Sequence, residues 1–465
     1  MLKRRLTLGL AGALCLGSAQ LHADSLQDIY ALALENDHQL KADTAAYQAN
    51  KEALTIGRSG LLPQVSATAS YSDTDQDTIG PLNLGGASSA FEIDTQNESY
   101  SVTLTQPLFN MAAWFGYKQG IVLNDQAEAQ FSADQQSLII RVSEAYFNVL
   151  RSIDNMETAQ AEEKALSHQL EQTKQRFEVG LTAITDVHEA QAAFDNATAV
   201  TLEALGNLGI AFEELEVLTG RSHDQVAPLV ETFPVIKPEP MARHEWVEFA
   251  LSNNYALKVA KFNADANQQN ARVKASGHLP TLTGSYSYTD RDDTNTDIQN
   301  GGITLPSDSR IDEQGTIAVQ LDVPIFSGMR VSGERRQAYQ QHMQAQELYN
   351  KTQRDTIQGA RSLHLSVVTN VAQVKARKQA ITSSRSALEA TQAGYEVGTR
   401  NLVDVLVAQR NLYQSQRNYD DTRYAYIINM LRLKEVAGNL TPEDVLQLNR
   451  WLNVDKEVMR SSYEK

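Results

Sequence analysis

Cysteine is almost absent from this chain of 465 residues, the only one being Cys15. It lies within residues 1–23, where a basic start, an apolar run and a small residue at Ala23 form a pattern typical of a secretory signal peptide. No small residue stands just ahead of Cys15, which argues against a lipid anchor. Removal of the peptide predicts a mature chain that starts at Asp24 and has no disulfide, no thiolate nucleophile and no cysteine metal ligand.

Basic residues are also in deficit. The chain has 41 Lys and Arg against 57 Asp and Glu, and three of the basic residues fall in the signal peptide. The mature chain therefore has 41 − 3 = 38 basic residues and a formal charge of 38 − 57 = −19. Such a charge disfavours binding to phosphates, so no nucleic-acid partner is predicted, and an anionic lumen or surface fits better.

Catalytic motifs are missing as well. There is no nucleophile elbow, no zinc-protease helix and no phosphate-binding glycine loop, and the nine histidines show no pair at metal-ligand spacing. Three adjacent acidic pairs are interpreted as solvated helix faces: Glu162-Glu163, Glu213-Glu214 and Asp420-Asp421. The sequence therefore predicts no enzyme, no cofactor and no metal site.

No apolar run after the first residues approaches the roughly 18 residues of a membrane helix. Any passage through a membrane must then be made by strands. Proline is absent from 108–227 and from 325–441, although the chain has 11 prolines. Because proline breaks helices, these two regions predict long helices, and 66 residues from Met111 to Arg176 would span about 99 Å. Two neighbouring apolar seams on this helix favour packing on both sides, as in a closed cylinder of coiled coil.

The chain is internally duplicated at an offset of 217 or 218 residues. Residues 177–187 reappear at 395–405, and the segment around Ala33 reappears around Ala250. Two helix–strand–strand–helix repeats are predicted, each starting with one helix, over about 26–58 and 243–276. The boundaries are: a first repeat over 24–240 with a β-hairpin at 64–106, a second over 241–440 with a β-hairpin at 281–323, and a C-terminal segment over 441–465.

Each β-hairpin is predicted from strict alternation of apolar and small polar residues after a proline, as in Val65, Ala67, Ala69 and Tyr71. A loop is expected from the low seventies to about Ser99. Its acidic residues are interpreted as solvation of an exposed rim, because the Asp73 spacing lacks the glycine and glutamate of a calcium loop. The acidic residues concerned are Asp73, Asp75, Asp77, Glu92, Asp94, Asp290, Asp292, Asp293 and Asp297.

Four strands cannot close a barrel, and an open sheet would leave two edges of unpaired backbone groups in lipid. The chain must therefore associate with itself. A homotrimer with 3 × 4 = 12 strands would enclose a water-filled pore facing lipid on its outer side. The fold class is thus mostly α with a small β part, in which a trimeric 12-stranded β-barrel is continued by a long α-helical barrel.

Several motifs resemble those of the TolC family of outer membrane efflux proteins, the outer membrane factors. They cover nearly the whole mature chain: Leu61-Leu62-Pro63-Gln64, residues 145–150, Gln175-Arg176-Phe177, residues 179–187, residues 277–281, residues 394–400 and Val403-Asp404-Val405-Leu406. The resemblance implies a homotrimeric duct in the outer membrane with a helical tunnel in the periplasm and an equatorial C-terminal segment. It also implies docking to a periplasmic adaptor and an inner-membrane transporter, for drug efflux or type I protein secretion.

The two helical hairpin tips are the predicted working end. Gly180 and Gly398 each mark a tight turn that needs a left-handed backbone. The residues expected to touch an adaptor are the protruding ones: Val179, Gly180, Leu181, Val397, Gly398 and Thr399. Ordinary turn chemistry would require the two glycines regardless of any partner.

Asp404 follows the second tip at a helical spacing that would direct it into the lumen, where three copies would form a carboxylate ring selective for cations. By the resemblance, Tyr395 and Arg400 tie the movable hairpin to Thr185 and Asp186. Asp186 and Asp404 can also be explained as helix caps or first-turn acids. The family often has a second aspartate three residues later, where this chain has Val407, so weaker cation block is expected here.

Two other functions compete with the duct. A general diffusion porin would be almost all strand, whereas this chain is mostly helical. A structural coiled-coil protein that spans the periplasm would need neither the one-faced strands nor the duplicated tips.

Overall fold

The computed structural model describes residues 23–81, 88–300, 303–305, 308–453 and 458–459. The predicted signal peptide up to residue 22 and the end of the C-terminal segment lie outside these residues. The elements in chain order are α1 Leu26–Asn36, α2 His38–Lys51, α3 Ala53–Ser59, β1 Gln64–Pro81, β2 Ser88–Phe109, α4 Met111–Glu178, α5 Ile184–Thr219, β3 Gln225–Val226, α6 Arg243–Asn253, α7 Tyr255–Ala275, β4 Thr281–Asn300, β5 Ile303–Leu305, β6 Asp308–Asp322, α8 Arg330–Glu396, α9 Leu402–Val436, α10 Pro442–Asn449 and β7 Val458–Met459.

The duplicated order predicted from the sequence is confirmed. Short helices, an antiparallel β-hairpin and a long helical hairpin occur twice, and α4 and α8 run unbroken for 68 and 67 residues. At about 1.5 Å per residue each of these helices is about 100 Å long. The fold is mostly helical with one small sheet, as predicted.

The prediction of one continuous first helix in each repeat is wrong. The first is broken at Asp37, whose carboxylate accepts hydrogen bonds from the backbone N–H of Gln39 and Leu40, and again at Glu52. The second is broken at Asn254, whose side chain caps the N–H of Leu257. At Asp37 and Asn254 a short polar side chain accepts from backbone N–H groups and starts the next helix, whereas no side chain caps the helix that follows Glu52.

The predicted loop between β1 and β2 is also wrong over most of its length. Strand β1 continues through Asp73, Asp75 and Asp77 to Pro81, and β2 already begins at Ser88. The ladder is made by backbone groups, so it continues through these polar residues after the apolar alternation has ended. The acidic residues therefore lie on extended strands rather than in a loop.

The sheet has the strand order β1-β2-β4-β6, with short β5 also paired to β4, and all of these pairs are antiparallel. The register repeats with the sequence, since Thr68 pairs with Ser101 and Ser285 pairs with Ala318, both 217 residues later. Among the described residues, β1 and β6 are the two edges and neither has an outer partner.

The main hydrophobic core lies midway along the long helices, where α4, α5 and α9 meet α1, α10 and the linker between the repeats. Tyr146 is fully buried there, and its hydroxyl donates a hydrogen bond of 2.7 Å to the carbonyl of Ala227 in the linker. This core joins the two repeats. Within the described ranges, no helix combines the length and apolar character needed to cross a membrane.

Gly438 ends α9 at a φ of 72°, and a Cβ at this position would lie 2.4 Å from the carbonyl oxygen of Asn253. Gly398 has a φ of 78° but open space around it. We expect Gly438→Ala to lower the thermal unfolding midpoint clearly more than Gly398→Ala. Both variants carry the left-handed cost of about 1–2 kcal/mol, and only the first adds a backbone clash of about 1–3 kcal/mol. Equal midpoints in calorimetry would contradict this geometry.

Candidate functional site

The first hairpin tip joins α4 to α5 through a glycine turn. The N–H of Gly180 donates to the carbonyl of Phe177 at 2.9 Å, and the N–H of Leu181 donates to that of Arg176 at 2.8 Å. Gly180 has a φ of 77°. This pair of bonds is the Schellman arrangement, which satisfies the last carbonyls of a helix and needs a left-handed residue. The predicted role of Gly180 in the turn is thus confirmed.

The second tip joins α8 to α9 in the same way. The N–H of Gly398 donates to Tyr395 at 3.1 Å, and the N–H of Thr399 donates to Gly394 at 2.8 Å. Val179, Leu181 and Val397 leave 70%, 68% and 75% of their surface exposed. Both tips therefore present apolar side chains around a glycine without any partner within the described chain.

Asp186 and Asp404 are the third residues of α5 and α9, so they are first-turn acids and not the capping residues themselves, which are Ala183 and Asn401. Each contacts the residue four positions earlier. The Thr182 hydroxyl donates to Asp186, and the Arg400 guanidinium lies 3.7 Å from the Asp404 carboxylate. The two pairs are equivalent at the 218-residue offset, and the carboxylates also favour the positive ends of the helix dipoles.

Tyr395 packs between the two hairpins. Its ring lies 4.8 Å from the guanidinium carbon of Arg176, a cation–π contact. Its hydroxyl is buried and makes no hydrogen bond with any described residue. Within the single chain, over its described residues, no hydrogen bond or ion pair joins Tyr395 or Arg400 to Thr185 or Asp186.

Two residues that shape this site were not assigned a role from the sequence: Arg176, which contacts the ring of Tyr395, and Gly394. Gly394 leaves room for Arg400 to lie back against the helix, since a Cβ there would be 2.8 Å from the Arg400 Cγ. The Gly394 carbonyl also accepts from the Arg400 N–H at 3.2 Å. Alignment of the two repeats could have identified Gly394, because position 394 corresponds to Arg176 in the first repeat. One tip therefore has arginine where the other has glycine.

Apolar contacts hold the two hairpins together behind the tips. Leu402 and Leu406 on α9 are buried against Leu166 and Leu170 on α4, together with Ala190 on α5. The first-turn acids stay outside this cluster, where Asp404 remains partly exposed. Any outward swing of the second hairpin must therefore break a small apolar contact as well as polar ones.

A second polar site lies near the main core, in a cleft of about 670 Å³ between α4, α8 and α9. Asp420, which was predicted to be part of a solvated face, is instead half-buried in this cleft. Desolvation raises its pKa to about 7, assisted by the charges of Asp154, Asp421 and Glu157 and opposed by Arg423. Glu162, another residue of the acidic pairs, is also buried and forms an ion pair with Arg417 at 2.8 Å. Contacts with helices distant in sequence cover Asp420 and Glu162, whereas Asp421 and the Glu213-Glu214 pair are exposed, as predicted.

No cluster of His, Cys, Asp or Glu in the described part of the chain has the arrangement of a metal site. The cleft around Asp420 is a contact between helices that depends on the protonation of one carboxyl group, whereas the tips are exposed helix ends. Of the predicted site residues, the structure brings Arg400 to Asp404 but leaves Thr185 exposed on the other hairpin.

A known protein family matches each of the two repeats. The family model described as outer membrane efflux protein matches residues 29–221 and 246–439. The chain is 35% identical over 458 residues to the outer membrane protein TolC of Vibrio cholerae, covering 98% of this chain and 100% of the relative. It is 30% identical to the alkaline protease secretion protein AprF of Pseudomonas aeruginosa, over 96% and 91% of the two chains.

The fold is also that of a solved outer membrane protein. The crystal structure of VceC from Vibrio cholerae matches with a TM-score of 0.73 at 17% identity, over 89% of this chain and 96% of the other. At this identity the likeness concerns the fold alone. The long helices and the small sheet are thus shared between chains of very different sequence.

Asp420 makes stability depend on pH. Its pKa is about 7 in the folded protein against an ordinary value of 3.8, so the unfolded chain loses this proton first. Its contribution to stability is present below about pH 4 and is lost as the pH rises through about 7. We expect Asp420→Asn to flatten the decline of the unfolding midpoint between pH 5 and pH 8, with Glu389→Gln, which removes an exposed acid of α8, as the control. An unchanged slope in Asp420→Asn would contradict the burial.

Proposed function

Because the chain belongs to the outer membrane efflux protein family, we propose that it works as a gated exit duct for a tripartite pump or a type I secretion system. It is an outer-membrane channel protein whose helices extend into the periplasm, and it is not an enzyme. Efflux and secretion are both supported, since the family is described as outer membrane efflux protein and AprF is named as an alkaline protease secretion protein. The family and the mostly helical fold set aside the general porin and the structural coiled-coil protein.

The observation that supports a duct most strongly is the sheet with two open edges. Strands β1 and β6 would leave a row of unpaired N–H and C=O groups in hydrocarbon, where each costs several kcal/mol. Closure by three copies would give 12 strands and remove every edge. A homotrimer of this kind encloses water, with outer-membrane lipid around it.

The internal repeat supports a specific register for that closure. Thr103 on β2 pairs with Ser287 on β4. Adding 217 to the first and subtracting 217 from the second converts this pair into Gln320 on β6 and Ser70 on β1 of the next copy. Both residues lie on the polar side of their strands, between apolar neighbours. The contact between copies would thus repeat the contact between the halves of one chain.

The gate is proposed at the end of the tunnel distant from the membrane. Three copies of Asp404 would form a cation-selective ring, and Arg400 would limit its charge through the ion pair within each chain. In the closed trimer, Tyr395 and Arg400 would contact Thr185 and Asp186. The buried, unpartnered hydroxyl of Tyr395 supports a second arrangement in which it has a partner.

Docking to a periplasmic adaptor, and through it to an inner-membrane transporter, is proposed at the two tips. Val179, Gly180 and Leu181 on the first tip and Val397, Gly398 and Thr399 on the second are exposed at the ends of rigid helices. Apolar side chains on a protruding turn are suited to insertion into a groove on a partner. The shared Schellman geometry would let one partner surface recognise both tips.

Conductance in planar bilayers tests the proposed duct. The purified protein should form stable channels of uniform size, and a strain lacking it should become sensitive to drugs or lose export of a secreted protein. A protein that inserts into bilayers without conductance, or a deletion strain with neither defect, would contradict the proposal.

Block by multivalent cations from the periplasmic side tests the single acidic ring. Val407 is exposed one turn after Asp404, so Val407→Asp should add a second ring and tighten the block about tenfold or more. Arg400→Gln should also raise conductance if the latch operates. Val407→Asn serves as a control of equal size without charge. Equal block in Val407→Asp and Val407→Asn would contradict a lumen-facing position.

Substitution at the tips tests docking separately. Leu181→Asp and Val397→Asp should abolish crosslinking to the adaptor in cells while bilayer conductance stays the same, because a charge at the centre of an apolar contact must be desolvated on binding. Glu178→Ala, just before the first tip, is the control. Undiminished crosslinking in both aspartate variants would exclude the tips as the docking surface.

A further inference from the structure

A basic cleft lies between α7 and α8, close to the sheet. Its volume is about 540 Å³, and its charged lining is Arg272, Arg335 and Arg336, with Tyr339 beside them. No acidic residue lines it. The chain as a whole has a formal charge of −16, so a cleft with three arginines and no carboxylate contrasts with the rest of the surface.

These arginines have no partner of opposite charge. Neither Arg335 nor Arg336 forms a hydrogen bond or an ion pair with any described residue. Arg272 contacts only uncharged groups, the side-chain oxygen of Gln269 at 3.4 Å and the ring of Phe115. The nearby acid Glu334 is already occupied by Arg330 at 2.9 Å and Lys274 at 3.7 Å. Three guanidinium groups held in one cleft repel one another, so an anionic group between them would be favourable.

The cleft lies at the level of the membrane surface in the proposed orientation. Ile325 and Phe326, which follow β6, are 96% and 80% exposed, as expected for residues that meet acyl chains. Arg335 comes five residues after the start of α8, about 8 Å further along the helix. The headgroup layer of one leaflet is about 5–8 Å thick, so the arginines fall within it or just below.

Aromatic residues identify the outward side of the helices. Lys118 lies 5.4 Å from the ring centre of Trp114, and Arg272 lies 5.8 Å from that of Phe115. Trp114 is exposed, as in the aromatic belts at membrane interfaces. Arg272 lines the cleft and contacts Phe115, so the cleft is on the same side as these aromatic residues. The cleft is therefore on the lipid side.

We propose that this cleft binds the phosphate group of an anionic phospholipid in the periplasmic leaflet of the outer membrane. Arg272, Arg335 and Arg336 would surround the phosphate, and the exposed ring of Tyr339 would cover the glycerol region. The inference rests on the proposed function for the orientation of the chain in the membrane, but it assigns a ligand that the duct does not require.

The first repeat lacks an equivalent site. At the repeat offsets Arg336 corresponds to Lys118, whereas Arg335 corresponds to Tyr117 and Arg272 to Thr55. One charge of three is therefore kept. The prediction is one lipid site per chain, positioned at the second repeat only.

Native mass spectrometry of the detergent-solubilised full assembly tests the proposal, with phosphatidylglycerol or phosphatidylcholine added. Wild type should retain one phosphatidylglycerol per chain in preference to phosphatidylcholine. In the triple variant Arg272→Gln, Arg335→Gln, Arg336→Gln, the amount of phosphatidylglycerol retained per chain should fall about tenfold or more. The matched control is Arg354→Gln, Arg361→Gln, Arg377→Gln, which removes three exposed arginines lower on α8 and should retain the lipid as wild type does.

Equal retention by the two triple variants would overturn the site. So would dissociation of the assembly in the first variant with unchanged lipid per chain, because the arginines would then pair with a neighbouring copy. Altered ion selectivity in bilayers without lipid loss would place them in the lumen and also overturn it. Wild-type conductance measured in parallel separates failure of this inference from failure of the duct.

Discussion

Two rows of unpaired backbone groups, one on β1 and one on β6, constrain this molecule most strongly. Each strand is paired on its inner side, and the pairing of β2 with β4 joins the two repeats, with register shifts at Asp94/Thr95 and Pro107/Phe109. In lipid the outer groups cannot remain unpaired, and water is not there to replace a strand. In the proposed closed wall, association of copies would pair these outer groups, so it would be a condition of the stability of the sheet in the membrane.

The same repeat governs the helical end. Because each half carries one long hairpin, closure of the sheet by three copies would bring six tips to one end of the tunnel. The tips share their turn geometry, with Gly180 and Gly398 in the same conformation, but differ beside it, where one has Arg176 and the other Gly394. In the second hairpin, the absence of a side chain at Gly394 leaves room for Arg400. The similarity of the two repeats would make the tunnel regular. The difference between Arg176 and Gly394 gives the second hairpin polar contacts that the first hairpin does not have.

The sequence was sufficient to predict what depends on local rules. Proline-free regions gave the helices, alternation after Pro63 and Pro280 gave the start of the strands, and the left-handed turns followed from Gly180 and Gly398. It failed where distant contacts decide. The first helix of each repeat breaks at Asp37 or Asn254 because that side chain caps the next helix. The strands extend beyond their apolar pattern because backbone groups form the ladder. Asp420 is half-buried by residues of α4 and α8, which are distant in sequence.

A disulfide between copies tests the closure of the sheet most directly, since the mature chain offers no competing thiol. With cysteines at Ser70 and Gln320, oxidation in the membrane should give a covalent species of three chains, the number at which the linked ring closes. Cysteines at Tyr71 and Gln320, on opposite faces of their strands, should stay unlinked. Linked pairs without a closed trimer, longer open ladders, or no linkage in a conducting preparation would contradict the shared twelve-stranded wall.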